Sequence, residues 1–451
     1  MTEQEEKTEQ TTCCIVGAGP AGAMLALLLA RQRIPVVLLE EHMDFDRDFR
    51  GDTMHPSTMQ VMEEIGLADK LLQLPHAELH TMSVQTDEGS FQLANFDRLK
   101  THFPYVAMIP QADFLQFVTE EARQYPTFKL VMGARAEKLI EEDGYVHGVR
   151  YRGQDGWHEL RAVLTVGADG RFSRMRRLAG FELVAAAQSM DVLWFRLPRK
   201  EEDEKEAQGQ GRLGKGHILV VLKRADSWQL GYIIPKGGYQ KLRSAGMDAL
   251  RRELAALLPD WADRLDTLRE WKQISVLSVE SSRLKRWYRP GLLLIGDAAH
   301  VMSPIGGVGI NYAIQDAVVA ANILGPSLKA RQLRLSDLAK VQREREWPTR
   351  LIQGFQNFMQ NHIIAGALNP EKPLIVPSWV RFLLRFPLIG DLPARLIAFG
   401  PRTVHVCFNP EREVGKGPTV AVAPAGNIPS NRKMSGAKTR EDGDYKNDSS
   451  A

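Results

Sequence analysis

Cysteine is nearly absent: the 451 residues hold three, Cys13, Cys14 and Cys407. Three thiols cannot build a disulfide framework or a multi-thiolate metal site. Two of them are adjacent at the head of an apolar run, which reads as a buried strand. No metal ligand set stands out. Long apolar runs are missing too, and nothing approaches the roughly 20 residues of a membrane-spanning helix. Residues 1 to 12 are polar and acidic and contain no apolar core of the kind a secretory signal needs. A cytoplasmic protein is the expectation. There is little charge imbalance, with 58 Lys and Arg against 55 Asp and Glu, and no long basic block. A nucleic-acid partner is therefore not expected. From Glu411 to Ala451 large apolar side chains are scarce, so that tail has too little to bury against its ordering entropy and reads as disordered.

What is present is glycine in organised places. A short apolar run from Cys13 leads into Gly17-x-Gly19-x-x-Gly22, and Ala21 to Arg33 then carries the Leu and Ala of a helix. Val36 to Leu39 form a second apolar run ending at Glu40. This is the strand, turn, helix, strand opening of a βαβ unit, with a dinucleotide fingerprint in its required context. The first glycine permits the turn, the second a close approach of pyrophosphate, and the third close helix packing. Pro20 and Ala21 open the helix, whose amides face the phosphates. Glu40, 18 residues beyond Gly22, is placed to accept from ribose hydroxyls, which favours FAD or NAD over NADP. A second match, Gly209-x-Gly211-x-x-Gly214, follows a charged stretch. It is read as chance within an exposed loop over Arg199 to Gly216.

Two further Gly/Asp signatures stand far downstream. One is Gly167-Ala-Asp169-Gly170 followed by Ser173, Arg176 and Arg177, a strand end leading into a Ser-capped basic helix. The other is Gly296-Asp297-Ala298-Ala299-His300, followed by Pro304, Gly306, Gly307, Gly309 and Asn311. With Gly17 to Gly22, and with Arg50-Gly51, His55-Pro56 and Gln111, these segments resemble the flavoprotein monooxygenases of the p-hydroxybenzoate hydroxylase fold. The resemblance covers about residues 12 to 360.

The resemblance implies FAD as cofactor. Asp169 and Gly170 help to hold it, and Asp297 accepts from the ribityl chain. Pro304, Gly307, Gly309 and Asn311 lie against the pyrimidine edge, where a helix N-terminus suits the anionic reduced ring. Arg50 reaches the phosphate and ribityl region, and Gln111 the ribityl chain. His300 has a hydrogen-bonding role beside the cofactor, while Asp316 and Ala317 serve helix packing. NAD(P)H binds transiently in a surface groove as co-substrate. O2 then adds at flavin C4a, and the hydroperoxide oxygenates an aromatic or polycyclic small molecule. No catalytic side chain is assigned.

The fold class expected is α/β, with a Rossmann-like FAD-binding domain interleaved with a mixed β-sheet substrate domain and followed by C-terminal helices. The FAD-binding parts are 12–75, 111–182 and 286–365, and the substrate parts are 76–110 and 183–285. A helical region over 366–410 precedes the tail 411–451. Strands are expected at Asp191–Leu197, His217–Leu222, Trp228–Ile234 and Ile274–Glu280, with a helix near Met247–Leu258. On those strands Trp194, Phe195, Trp228 and Tyr232 are candidates for lining a substrate pocket, as well as for core packing. Trp228 to Pro235 lacks the tryptophans of the Trp-x-Trp-x-Ile-Pro motif of flavin-dependent halogenases, with Leu230 and Tyr232 in their place.

Pro377 to Gly400 mixes Trp379, Phe382 and Leu384 with Arg381, Arg385 and Arg395. It reads as helices packed on the cofactor domain, with peripheral membrane contact as the alternative. The motifs leave two other functions open: a reductase or dehydrogenase on the same scaffold, similar to prenyl reductases, and a flavin-binding partner protein without turnover.

Overall fold

The computed structural model describes residues 7–46, 51–86, 89–200, 203, 208–214, 216–368 and 387–408. Arg50, the segment from Trp379 to Phe386 and the tail 411–451 lie outside them. Two large sheets organise the described residues. The first has eight strands, in the order Tyr288–Arg289, Leu292–Leu294, Gly156–Gly167, Lys7–Val16, Val36–Glu40 and Phe128–Met132. The hairpin Arg135–Glu142 and Tyr145–Gly153 branches from the long strand Gly156–Gly167. Its Asp143-Gly144 turn has both residues at positive φ, 50° and 76°, as a two-residue hairpin requires.

From Leu292–Leu294 to Phe128–Met132 the pairings are all parallel. Parallel central strands are covered on both faces, which is why Val36–Leu39 and Leu292–Leu294 are continuous apolar runs. Cys13 and Cys14 are fully buried there. The helix Pro20–Arg31 packs against both Gln111–Arg123 and Gly309–Lys329. Because the strands run the same way, Gly17, Glu40, Asp169 and Gly296 all emerge at one carboxyl edge, where open α/β sheets bind ligands.

The second sheet has seven strands in the order Ser275–Ser278, Met190–Pro198, Ser227–Pro235, His217–Lys223, Gly209–Gly214, Thr81–Thr86 and Gly89–Asn95. Period-two alternation sorts its side chains. Leu193, Phe195, Leu219, Val221, Trp228, Leu230 and Tyr232 form a core that also contains Leu250 and Leu254 of the helix Met247–Leu257. Met190, Val192, Ile218 and Ile233 share a separate cluster, with Trp194 packed against it.

The loop expected over Arg199 to Gly216 is corrected: Gly209–Gly214 is a strand of this sheet. Its glycines make room for side chains from distant strands. A Cβ at Gly209 would lie 2.6 Å from Leu79 Cδ1, and one at Gly211 would lie 3.2 Å from Val84 Cγ2. Asp203, within the same stretch, is buried rather than exposed. It accepts from both terminal nitrogens of Arg264, at 2.6 and 2.5 Å, and from Trp228 Nε1 at 2.8 Å.

The expected C-terminal helical region is a helix at Pro387–Phe399 within the described residues. No helix among the described residues is long and apolar enough to cross a membrane.

Candidate functional site

The carboxyl edge of the first sheet and one face of the second enclose a cavity of about 620 Å³. Its polar end is built from the glycine segments. Gly17 has φ +100°, and a Cβ there would sit 2.5 Å from the Ala168 carbonyl oxygen. A Cβ on Gly22 would sit 1.9 Å from Gly17 O, so the helix Pro20–Arg31 begins in contact with its own turn. Gly19 differs: apart from Ala168 O at 4.0 Å, nothing stands where its Cβ would project. The helix has no side-chain cap, and its first amides keep an open approach.

The Glu40 carboxylate accepts from Ala18 N at 2.9 Å and His42 N at 3.1 Å, which pins it beside the turn. Hydrogen bonds draw the other segments in. Ile295 N donates to Gly167 O at 3.0 Å, and Ala168 N to Val16 O at 2.8 Å. Gly296, at φ +59°, leaves 3.0 Å between a hypothetical Cβ and Ala21 Cβ, so the Gly-Asp turn rests on the first helix. Arg176 ties that turn to the second segment by donating to Ala298 O at 3.2 Å and Arg171 O at 2.7 Å.

Asp169 accepts from Ser173 Oγ at 2.5 Å, Arg174 N at 2.6 Å and Met175 N at 2.9 Å. Ser173 in turn caps Arg176 N. Burial pushes the Asp169 carboxyl above its ordinary value, against the pull of these hydrogen bonds.

Of the residues expected in the site, Gly17, Gly19, Pro20, Ala21, Glu40, Gln111, Asp169, Gly170, Asp297, Pro304, Gly307 and Gly309 line the cavity. Gly22 and Gly296 stand behind it and shape the turns. Asn311 does not face it. Its Oδ1 accepts from His55 N at 2.9 Å and Thr58 Oγ1 at 2.6 Å, and its Nδ2 donates to Thr53 O at 3.1 Å. Arg50 lies outside the described residues.

His300 is buried behind the Gly-Asp turn, with Nε2 2.6 Å from Asp316 Oδ2. Asp316 does more than pack a helix. The same oxygen accepts from Gly296 N at 2.9 Å, and Oδ1 accepts from Arg345 Nε at 2.7 Å. Burial alone would raise the Asp316 carboxyl, but His300 and Arg345 outweigh it and hold the pKa below the ordinary value.

The other end of the cavity is apolar, lined by Met190, Val192, Trp194, Ile218, Val220 and Ile233. Of the four aromatic candidates, only Trp194 lines it; Phe195, Trp228 and Tyr232 face the opposite core. Sequence reasoning also missed Asp52, buried between the sheets. One of its oxygens accepts from Gln111 N at 3.2 Å and the other from Arg224, which also donates to Gln229 Oε1 at 2.5 Å. A lone Asp after Arg-Gly carries no local signal for a partner 172 residues away.

The sequence profile described as "FAD binding domain" matches residues 10–347. The chain belongs to that family. It is 32% identical over 403 residues to 6-methylpretetramide 4-monooxygenase of Streptomyces rimosus, covering 88% of this chain and 94% of that protein. It is 27% identical over 317 residues to a rifampicin monooxygenase of Streptomyces venezuelae, spanning 67% of this chain and 61% of that one. The crystal structure of p-nitrophenol 4-monooxygenase PnpA from Pseudomonas putida DLL-E4 shares the fold. Its TM-score is 0.69 at 19% identity, over 88% of this chain and all of that one.

The protein is thus a flavoprotein oxidoreductase, and the polar end of the cavity fits its cofactor. The uncapped helix N-terminus and the open face of Gly19 suit a pyrophosphate. Glu40 suits an unphosphorylated ribose. Among the described residues no group of His, Cys, Asp and Glu is arranged to hold a metal.

Proposed function

We propose that this flavoprotein hydroxylates a flat polycyclic aromatic small molecule, using O2 and NAD(P)H. FAD, when bound, supplies the two-electron store and the site of oxygen activation. One oxygen atom enters the substrate and the other leaves as water, with NAD(P)H supplying the electron pair. The cofactor domain is assembled from 12–75, 111–182 and 286–365, and the substrate domain from 76–110 and 183–285. A cytoplasmic location, where NAD(P)H is supplied, is part of this reading.

The observation that carries the substrate class is the pairing of Trp194 with Gly231. Opposite one another on adjacent strands, they leave the indole flat on the sheet: a Cβ at Gly231 would lie 2.8 Å from the ring. That gives the apolar end of the cavity an aromatic platform among branched aliphatic side chains, the surface on which a fused-ring system stacks. A relative aligned over 88% of this chain is named for action on 6-methylpretetramide, which supports the reading.

The chain's own residues bind and orient. Gly17 to Gly22 and Glu40 hold the nucleotide end, and Asp297 and the Pro304–Gly309 turn hold the ring end. The second sheet excludes water from the substrate. The test is oxygen uptake by purified holoenzyme with NADH or NADPH, with and without a panel of polycyclic phenols and quinones. Substrate-coupled uptake with an oxygenated product supports the reading. Reduction of a substrate double bond without oxygen insertion would replace it with a reductase.

A further inference from the structure

The helix Leu335–Met359 turns a polar stripe toward the interior. Gln342, Arg345, Thr349, Gln353 and Gln356 recur every three or four residues and are all buried. Such a face ordinarily carries apolar side chains, and buried polar groups require partners. Two of these glutamines place both amide hydrogens on main-chain carbonyls. Gln353 Nε2 donates to Ser282 O at 2.9 Å and to Val301 O at 3.0 Å. Gln356 Nε2 donates to Ser303 O at 2.9 Å and to Ile305 O at 2.8 Å.

The carbonyls at 301, 303 and 305 belong to the stretch that enters the Pro304–Gly307 turn, whose residues line the cavity. At its last residue, Gly307 O accepts from Thr53 Oγ1 at 2.9 Å. In a trans peptide the N–H points opposite to the C=O. Holding the 301 and 305 carbonyls against the helix therefore turns the Met302 and Gly306 N–H groups away from it. Pro304, which follows the 303 carbonyl, has no N–H, and the three bonds together fix the direction of the peptide dipoles.

We propose that Gln353 and Gln356 are positioning residues for the flavin. They orient the Val301–Ile305 peptides so that the turn favours the negative charge of the reduced ring, as fixed dipoles do wherever charge develops. This rests on the reading of the turn as facing the flavin.

Gln342 supplies the control. It lies on the same buried stripe, donating to Lys285 O at 3.0 Å and accepting from Trp287 N at 3.0 Å, and it does not touch the turn. The variants Q353M, Q356M and Q342M keep side-chain length and remove the amide. On each purified holoenzyme, the flavin midpoint potential, the FAD dissociation constant and Tm are measured. All three variants are expected to lower Tm. Q353M and Q356M alone shift the potential negative, and they weaken FAD binding about tenfold, as loss of hydrogen bonds of this kind implies. If either does not fold, Q353N or Q356N, which retains the amide on a shorter arm, carries the test with the same expected direction. Wild-type potential and affinity in the folded variants would overturn the proposal, and so would equal shifts in Q342M. Failure of the wild-type protein to bind FAD would instead overturn the reading of the site.

Discussion

Trp194 lies flat over Gly231, so close that a methyl group at 231 would stand 2.8 Å from Cζ3 and 2.9 Å from Cη2 of the indole. The gap belongs to the cavity face of the second sheet, and the ring has Val192 and Ile233 around it. Gly231→Ala must push the indole into the cavity, since the strand behind it is paired on both sides. Overpacking of this kind costs about 1–3 kcal/mol. KM for a polycyclic substrate is expected to rise roughly tenfold, with the FAD dissociation constant unchanged. Steady-state kinetics beside an FAD titration checks both. A shift in FAD affinity with KM unmoved would show that Trp194 does not bound the substrate space.

The three fingerprint glycines are not equivalent, and alanine separates them. At Gly22 a Cβ collides with Gly17 O at 1.9 Å, so Gly22→Ala is expected to unfold or strongly destabilise the protein with or without flavin. At Gly19 the nearest atom is 4.0 Å away and the backbone is extended, with φ −69° and ψ −178°. Gly19→Ala should leave the unfolding free energy of flavin-free protein within about 0.5 kcal/mol of wild type, and its Tm correspondingly close, yet weaken FAD binding. Thermal melts of stripped and reconstituted protein distinguish the two. An unchanged FAD affinity in Gly19→Ala would place the pyrophosphate elsewhere.

Asp316 and Arg345 are both buried, with His300 completing the network. Breaking a buried pair leaves an uncompensated charge, at a cost of about 3–5 kcal/mol. Arg345→Met alone should therefore cost more than the double variant Asp316→Asn/Arg345→Met exceeds Asp316→Asn. Urea unfolding of the four proteins gives the coupling. Additive costs would show that the pair is not coupled.

Much of this site was legible because its signals are local. Gly17, Gly19 and Gly22 sit between a strand and a helix a few residues away, and Glu40 ends the next apolar run. Parallel strands then deliver the distant Asp169 and Gly296 to the same edge. What was not legible depends on partners remote in sequence. Gly209–Gly214 reads as a loop because glycine is depleted in strands, and the reason for it lies in Leu79 and Val84. Trp194 and Phe195 are equally apolar neighbours, and only the register of the sheet decides which of them faces the cavity. The buried stripe from Gln342 to Gln356 is visible as helical spacing, but polar residues at that spacing ordinarily mark a solvated face.

His55 sets part of the acid sensitivity of the fold. It is buried, its Nδ1 lies 2.7 Å from Ile397 O, and its backbone N–H is held by Asn311. The ring thus ties the helix Pro387–Phe399 to the segment that opens the helix Pro56–Glu64. Burial lowers its pKa from 6.5 to about 4, with the Ile397 carbonyl opposing the shift. A base with a lowered folded pKa is protonated first in the unfolded chain. Its cost is therefore absent above pH 6.5 and grows as the pH falls toward 4. The full difference corresponds to about 3 kcal/mol. In His55→Asn, the side-chain amide can still donate to Ile397 O, and nothing titrates. Its unfolding free energy, measured by urea titration at pH 7.5, 6, 5 and 4.5, should fall less steeply than that of wild type over this range. Parallel curves would mean that the acid sensitivity comes from other groups.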